Sequence, residues 1–256
     1  MRYSFLVLSS IILSACSTRD RSEPVADTSQ ATPAPLPAHT TATALPAPAA
    51  PRAQGHAEAP GVDPNKVLGW LKNGNVRFTR HHQRKDGNSA KDRTRLAEGQ
   101  RPHAIVLSCS DSRVPPELVF DQKLGELFVV RTAGQALDAM ALASIEYATV
   151  HLGSRLIVVL GHESCGAVKA ALQTPEGKSA GSASLDALVA NLRPHVSGYM
   201  RGPASTGFIA EVTANAHGAA AELLQRSTIV SEAVRTGKVK VVTGVYHLAS
   251  GQVIFD

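Results

Sequence analysis

Three stretches of the chain are apolar at nearly every position: AIVL at 104–107, LFVVR at 127–131 and RLIVVL at 155–160. A fourth run rich in β-branched residues, KVKVVTGVY, covers 238–246. Continuous apolar runs of this length, without alternation, predict strands buried on both faces. Between them the period changes. QALDAMALASIEYATVHLG (135–153) has apolar residues at helical spacing and ends on Gly153, a suitable C-cap. SCGAVKAALQ (164–173), 183–192 and 209–235 also read as helices. Upstream, Asp63-Pro64 offers a capping carboxylate and a proline at the first helical position, and Val67, Leu68, Leu71, Val76 and Phe78 predict an amphipathic helix. QVIF at 252–255, after Ala249-Ser250-Gly251, predicts an antiparallel edge strand. Strands alternating with helices predict an α/β domain with a mainly parallel sheet covered by helices on both faces.

The first quarter of the chain follows no such pattern. MRYSFLVLSSIILSAC opens with a positive residue, Arg2, then a short apolar stretch, then small residues before Cys16, the order of an export signal. Leu13-Ser14-Ala15-Cys16 resembles a bacterial lipobox, which implies a signal peptide over 1–15 and lipid on the Cys16 thiol. The alternative is an ordinary signal peptide with an incidental cysteine. Ser17, standing where an Asp would imply inner-membrane retention, points to the outer membrane, facing the periplasm of a Gram-negative cell. From there to Pro60 the chain holds eight of its fifteen prolines and three residues of the Val/Leu/Ile/Phe type. Such a segment cannot bury enough apolar surface to offset its ordering entropy, so 16–60 is expected to be a lipid-anchored, disordered tether spanning roughly 35 to 40 Å. The folded, catalytic domain is expected over 61–256, long enough for one sizeable core.

The formal net charge of +5 raises the question of a polyanionic partner. The basic residues are scattered and the aromatics few, with no nucleic-acid motif, so no nucleic-acid partner is expected. His39 and His56 lie far apart in the tether and are not expected to be ligands, and the His81-His82 pair reads as surface.

Chemistry concentrates where the apolar runs end. LSCSDSRVPPEL (107–118) places Cys109, Asp111 and Arg113 on alternate positions directly after the first run. In open α/β sheets, the carboxyl ends of the strands are where ligands bind. The third run ends in GHESCGAV, bringing His162 and Cys165 to the same edge. Two thiolates and an imidazole form a typical zinc set, and three protein ligands leave the open fourth position that catalytic zinc requires. Beyond Cys16 the chain has only Cys109 and Cys165, so a disulfide between them is the alternative. A disulfide, however, has no use for His162, Asp111 and Arg113.

Together, CSDSR at 109–113 and HESC at 162–165 resemble the β-class carbonic anhydrases. The likeness extends from Asn75-Val76-Arg77-Phe78 through EGQRP (98–102), GELFVVRTAG (125–134), SIEYA (144–148) and LIVVLGHESCGAV to the last strands. It implies one zinc ion per subunit on Cys109, His162 and Cys165, an Asp111–Arg113 dyad, and a homodimer or higher even oligomer. It also implies that Gln100 and the Gly166 amide donate to substrate while Phe128, Tyr147 and Ala133 shape the pocket. For Phe128 and Tyr147, ordinary core packing is the reading their residue types alone support.

The implied reaction is the reversible hydration of carbon dioxide to bicarbonate and a proton by a zinc-bound hydroxide, the work of a zinc lyase. Two thiolates make the zinc a weaker Lewis acid than three imidazoles would, and Asp111, held ionised by Arg113, is placed to orient the hydroxide. In the family this carboxylate can also swing onto zinc as a fourth ligand and close the site; a permanently closed structural zinc is the corresponding alternative. Other readings are a hydrolase of carbon disulfide or carbonyl sulfide on the same scaffold, or a non-enzymatic zinc-stabilised surface module. Some family members bind inhibitory bicarbonate through a Trp three residues before the first zinc cysteine. Here that position is Val106, although Arg131 matches another part of that site.

Overall fold

The computed structural model describes residues 62–256. The signal segment 1–15, the lipidation candidate Cys16 and the tether 16–60 lie outside the described residues. In chain order the elements are α1 (Pro64–Thr79), α2 (Ala90–Leu96), β1 (Ala104–Cys109), α3 (Pro116–Val119), β2 (Leu127–Thr132), α4 (Ala139–His151), β3 (Leu156–His162), α5 (Gly166–Gln173), α6 (Ala183–Val196), α7 (Ile209–Arg226), α8 (Thr228–Arg235), β4 (Lys240–Tyr246) and β5 (Val253–Phe255).

The strands form one sheet in the order β2-β1-β3-β4-β5. The first four are parallel, and β5 returns antiparallel to β4 at the edge. β1 and β3 are buried at every position, which is why their sequences are apolar without alternation. Ile105, Leu107, Ile157 and Val159 face Ile145 and Ala148 of α4, Ala219 and Leu223 of α7 and Val230 of α8. Ala104, Val106, Val158 and Leu160 face the opposite way, onto Val67 and Leu71 of α1 and onto Val119 and Phe120. Helices therefore cover both faces, as expected.

The helices differ from the periodic reading in several places. Val76 is 45 % exposed, because the buried side of α1 runs through Val67, Leu71, Gly74 and Asn75. A Cβ at Gly74 would stand 1.7 Å from the Phe120 carbonyl oxygen, so glycine lets α1 approach that backbone. Asn75 beside it donates to the carbonyls of Val119 (3.1 Å) and Gly251 (2.8 Å) and accepts from Val253 N–H (2.9 Å), tying α1 to β5. The segment 209–235 is two helices, because Ser227 is extended and caps α8 by accepting from Val230 N–H at 3.1 Å. α6 runs on to Val196, with Pro194 confined to its last turn. α2 has no buried residue; its start is set by the reciprocal capping pair Ser89 and Asp92.

Candidate metal centre and active site

Pairing of β1 with β3 matches Ser108 with Leu160, so Cys109 and His162 emerge one step apart at the carboxyl edge of two adjacent, fully buried strands. Cys165 is the N-cap residue of α5, reached through a turn in which Ser164 adopts φ +57. Ser164 N–H donates to the Gly207 carbonyl at 2.7 Å, which holds that turn in place. The result is a compact triangle. Cys109, His162 and Cys165 are all buried, and their ligand atoms lie within 4.8 Å of one another.

The donor set fits zinc. The two Sγ atoms are 4.0 Å apart and both cysteines are free, against about 2.05 Å for a disulfide, so the disulfide alternative does not describe this pair. Two sulfurs bound at about 2.3 Å to one tetrahedral ion stand about 3.8 Å apart, close to what is found. His162 Nδ1 faces the Glu163 carbonyl at 2.9 Å and therefore carries the proton. That leaves the Nε2 lone pair, buried and without a hydrogen-bond partner, on the side of the sulfurs. A second-sphere carbonyl of this kind fixes the tautomer that a metal requires.

Electrostatics point the same way. The Cys165 S–H, against the opposing effect of burial and with help from His162 and Gly134 N–H, holds the Cys109 thiol down to about 4. The same hydrogen bond to Cys109, reinforced by burial, pushes Cys165 well above the ordinary thiol range. One negative charge is thus easily accommodated and a second is not, until a cation replaces the shared proton.

Asp111 sits in the turn after β1. Arg113 grips it bidentately, Nε to Oδ1 at 2.9 Å and Nη2 to Oδ2 at 2.7 Å, and Arg113 N–H adds a third bond at 3.0 Å. The Arg113 guanidinium holds the Asp111 carboxyl well below the usual carboxylate range. Asp111 Oδ2 lies 3.8 Å from His162 Nε2, beside the triangle and engaged by Arg113.

Arg131 of β2 and Gly134 in the turn after it also reach the site. Arg131, expected from the likeness to mark part of a bicarbonate site, donates from Nε to the Cys109 carbonyl (3.0 Å) and from Nη2 to the Asp111 carbonyl (2.6 Å). It pins the turn that carries the dyad. Gly134, at φ +62 in the turn after β2, donates its N–H to Cys109 Sγ at 3.2 Å. Its place in TAG, directly after a strand, was the only signal.

The remaining candidates divide. Ala133 precedes Gly134 beside the sulfur, and Gly166 opens α5 next to Cys165, where first-turn N–H groups have no intrahelical partner. Gln100, Phe128 and Tyr147 are not brought to the triangle. Phe128 pairs with Ile105, four residues before Cys109 on β1, roughly 13 Å down the sheet at 3.3 Å per residue. Its ring lies 6.5 Å from that of Tyr147, which is 51 % exposed. Gln100 and Tyr147 line a separate cavity of about 640 Å³ together with Arg95, Arg101, Lys123 and Leu124.

Comparison with known proteins agrees with this geometry. The family model described as carbonic anhydrase matches residues 104–253. The carbonic anhydrase of Mycolicibacterium smegmatis is 40 % identical over 192 residues, which are 74 % of this chain and 92 % of that protein. Carbonic anhydrase 2 of Mycobacterium tuberculosis has the same identity and coverage. Among solved structures, the β-carbonic anhydrase of Coccomyxa, in complex with acetazolamide, superposes with a TM-score of 0.59 at 25 % identity, covering 76 % of this chain and 86 % of its own. The β-carbonic anhydrase CafA of Aspergillus fumigatus gives 0.58 at 25 %, covering 75 % and 89 %. A mainly parallel sheet that delivers two cysteines and a histidine to one edge, a family match over all four parallel strands and relatives at this identity lead to one conclusion: the chain belongs to the β-class carbonic anhydrase family.

Proposed function

We propose a specific division of labour in this zinc-dependent carbonic anhydrase, which interconverts carbon dioxide and bicarbonate. Cys109, His162 and Cys165 hold zinc, Asp111 acts on the reacting water, and Arg113 holds Asp111. The observation that carries this reading is the buried triangle of two sulfurs and an unpartnered imidazole nitrogen with an ionised carboxylate 3.8 Å away. Zinc bound there supplies the Lewis acidity that brings the pKa of a water molecule into the neutral range. Asp111, held ionised and therefore without a proton to donate, would accept a hydrogen bond from the reacting water and so orient it. Arg113 keeps the carboxylate ionised and aimed. The Gly166 N–H, at the positive end of α5, offers a donor to the oxygen on which bicarbonate charge develops, and the small Ala133 leaves room for it.

The oligomer follows from what one subunit lacks. Gln100, Phe128 and Tyr147 lie at the far end of the sheet, on a side that also exposes Leu124, Met140 and Val150. A homodimer that sets this face of one copy against the metal edge of the other would supply each site with its apolar wall and its amide donor. Export and anchoring rest on the residue order at 1–16: a signal peptide, lipid on Cys16 and a tether over 16–60 holding the catalytic domain off the outer membrane, in the periplasm.

Stopped-flow measurement of carbon dioxide hydration on zinc-loaded protein tests the catalytic reading, with carbonyl sulfide and carbon disulfide run in parallel. Hydration no faster than buffer, in protein with stoichiometric zinc, would overturn it.

A further inference from the structure

Behind the metal triangle lies a run of polar groups, buried at Asn215 and part-buried toward Glu222, that the chemistry above does not use. Gly134 gives its N–H to Cys109 Sγ, and its carbonyl accepts from Asn215 Nδ2 at 2.9 Å. Asn215 is on α7 and fully buried. With Nδ2 turned to that carbonyl, Oδ1 faces His195 Nδ1 on α6 at 3.2 Å, so Nδ1 carries a proton. The other ring nitrogen, Nε2, lies 3.3 Å from Glu222 Oε2, a charge contact rather than a hydrogen bond, and Glu222 Oε1 accepts from Arg226 at 2.6 Å. Arg226 also donates to the Leu137 carbonyl, and Leu137 N–H is held by Asn191 Oδ1 at 3.2 Å. The turn 133–137 is therefore strapped from α6 and α7 at both of its ends.

Two sequence features show that the run is built for this purpose. Asn215 stands within the apolar stripe Val212, Ala216, Ala219 and Leu223, where a buried amide without its partners would cost about 1 to 3 kcal/mol. Gly218 stands in mid-helix, where alanine would be favoured by about 1 kcal/mol. Yet a Cβ at Gly218 would come within 2.4 Å of the His195 ring. The glycine keeps open the slot in which the imidazole lies.

We propose that Glu222, His195 and Asn215 form a positioning relay for the metal thiolate. They fix the turn 133–137 so that Gly134 N–H stays on Cys109 Sγ, and in doing so they set how much charge that sulfur gives the metal. The proposal rests on Cys109 being a zinc ligand. A hydrogen bond to a coordinating sulfur withdraws charge from it and orients its lone pairs, and outer partners of this kind govern metal affinity. Glu222, His195 and Asn215 touch neither metal nor substrate; they act through Gly134.

The test uses the full zinc-loaded protein. Zinc content is measured first, then the rate of zinc transfer to a chromophoric chelator. Cobalt(II) is next substituted and its sulfur-to-metal charge-transfer band recorded. Asn215→Leu, which keeps the branched skeleton and removes both hydrogen bonds, should release zinc about 10 to 100 times faster and shift the cobalt band. His195→Phe, which keeps a ring over Gly218 but no Nδ1–H, should move both readouts the same way by a smaller factor. If Asn215→Leu does not fold, Glu222→Gln at the partly exposed end of the run carries the test, with the same direction expected. Variants that lose thermal stability but keep wild-type zinc release and an unchanged cobalt band would reduce the run to core packing and overturn the proposal. A wild-type protein that binds neither zinc nor cobalt would overturn the metal reading itself, and the relay with it.

Discussion

Replacing Gly134 with alanine tests whether the turn behind the metal site is as tightly determined as its geometry implies. Gly134 sits at φ +62, ψ 24, a conformation that costs an L-residue about 1 to 2 kcal/mol. The added methyl would stand 2.7 Å from Leu192 Cδ1 and 2.9 Å from Ala167 Cβ, and forcing it into that wall costs about 1 to 3 kcal/mol more. Relief is not free for function. Ala167 belongs to the first turn of α5, next to Cys165, and a shift of Gly134 the other way loosens its bond to Cys109 Sγ. The sum, about 2 to 5 kcal/mol, corresponds to a drop in Tm of order 10 °C for a domain of this size. Thermal unfolding of the zinc-loaded variant followed by circular dichroism, together with its zinc content, measures both effects. Gly69→Ala is the control: Gly69 lies within α1 with nothing within 4 Å of its Cβ position, so alanine there should stabilise by about 1 kcal/mol. A Gly134→Ala protein within about 2 °C of wild type, with full zinc, would refute the reasoning, since such a change is well under 2 kcal/mol.

The other expected outcomes concern ligands, dyad and anchor. Cys109→Ala, His162→Ala and Cys165→Ala should each lose most of the zinc and the activity together, as read by elemental analysis and stopped flow; stoichiometric zinc in Cys109→Ala/Cys165→Ala would exclude the site. Asp111→Asn should keep zinc yet lose about 10² to 10⁴ in hydration rate, because an amide neither accepts the proton in the same way nor pairs with Arg113, and Arg113→Ala should resemble it; full activity at pH 8 would rule out the role given to Asp111. Cys16→Ser should abolish lipidation and move the protein from the membrane to the soluble fraction with its specific activity intact; wild-type protein recovered unlipidated in the soluble periplasm would dispose of the anchor.

The parts of the fold that were legible in sequence are those whose signal is local. β1 and β3 are buried on both sides, so their composition alone marks them, and the metal residues lie in short motifs at their ends. α2 escaped notice because AKDRTRL buries nothing and is held by its cap. The break at Ser227 was equally silent. The helical pattern runs across it, and what fixes Ser227 is a 2.7 Å bond to Glu146, distant in sequence. Asn215 and Gly134 are 81 residues apart, and nothing in either neighbourhood announces the other. The likeness implies a pocket role for Gln100, Phe128 and Tyr147; within one chain Phe128 lies beside Tyr147, and Tyr147 shares a cavity with Gln100. A single chain's sequence gives no measure of how far that group stands from its own metal edge.

The dyad shows how the fold separates what must stay from what can move. Cys109 and His162 are the last residues of two central strands, and every ladder position behind them is buried, so two of the three ligand positions inherit the rigidity of the core. The turn holding Asp111 leaves the sheet and has no such support. Arg131, from the neighbouring strand β2, provides it by donating to the backbone carbonyls of Cys109 and Asp111. The Arg113 pair is of a different kind. It joins side chain to side chain, and Arg113 is 56 % exposed, so solvent screens the pair and competes for both partners. The Asp111 carboxylate can therefore part from Arg113 by rotating about its own bonds while its backbone stays pinned by Arg131. We propose that a swing of Asp111 toward the metal, which the likeness implies, would demand no movement of Cys109.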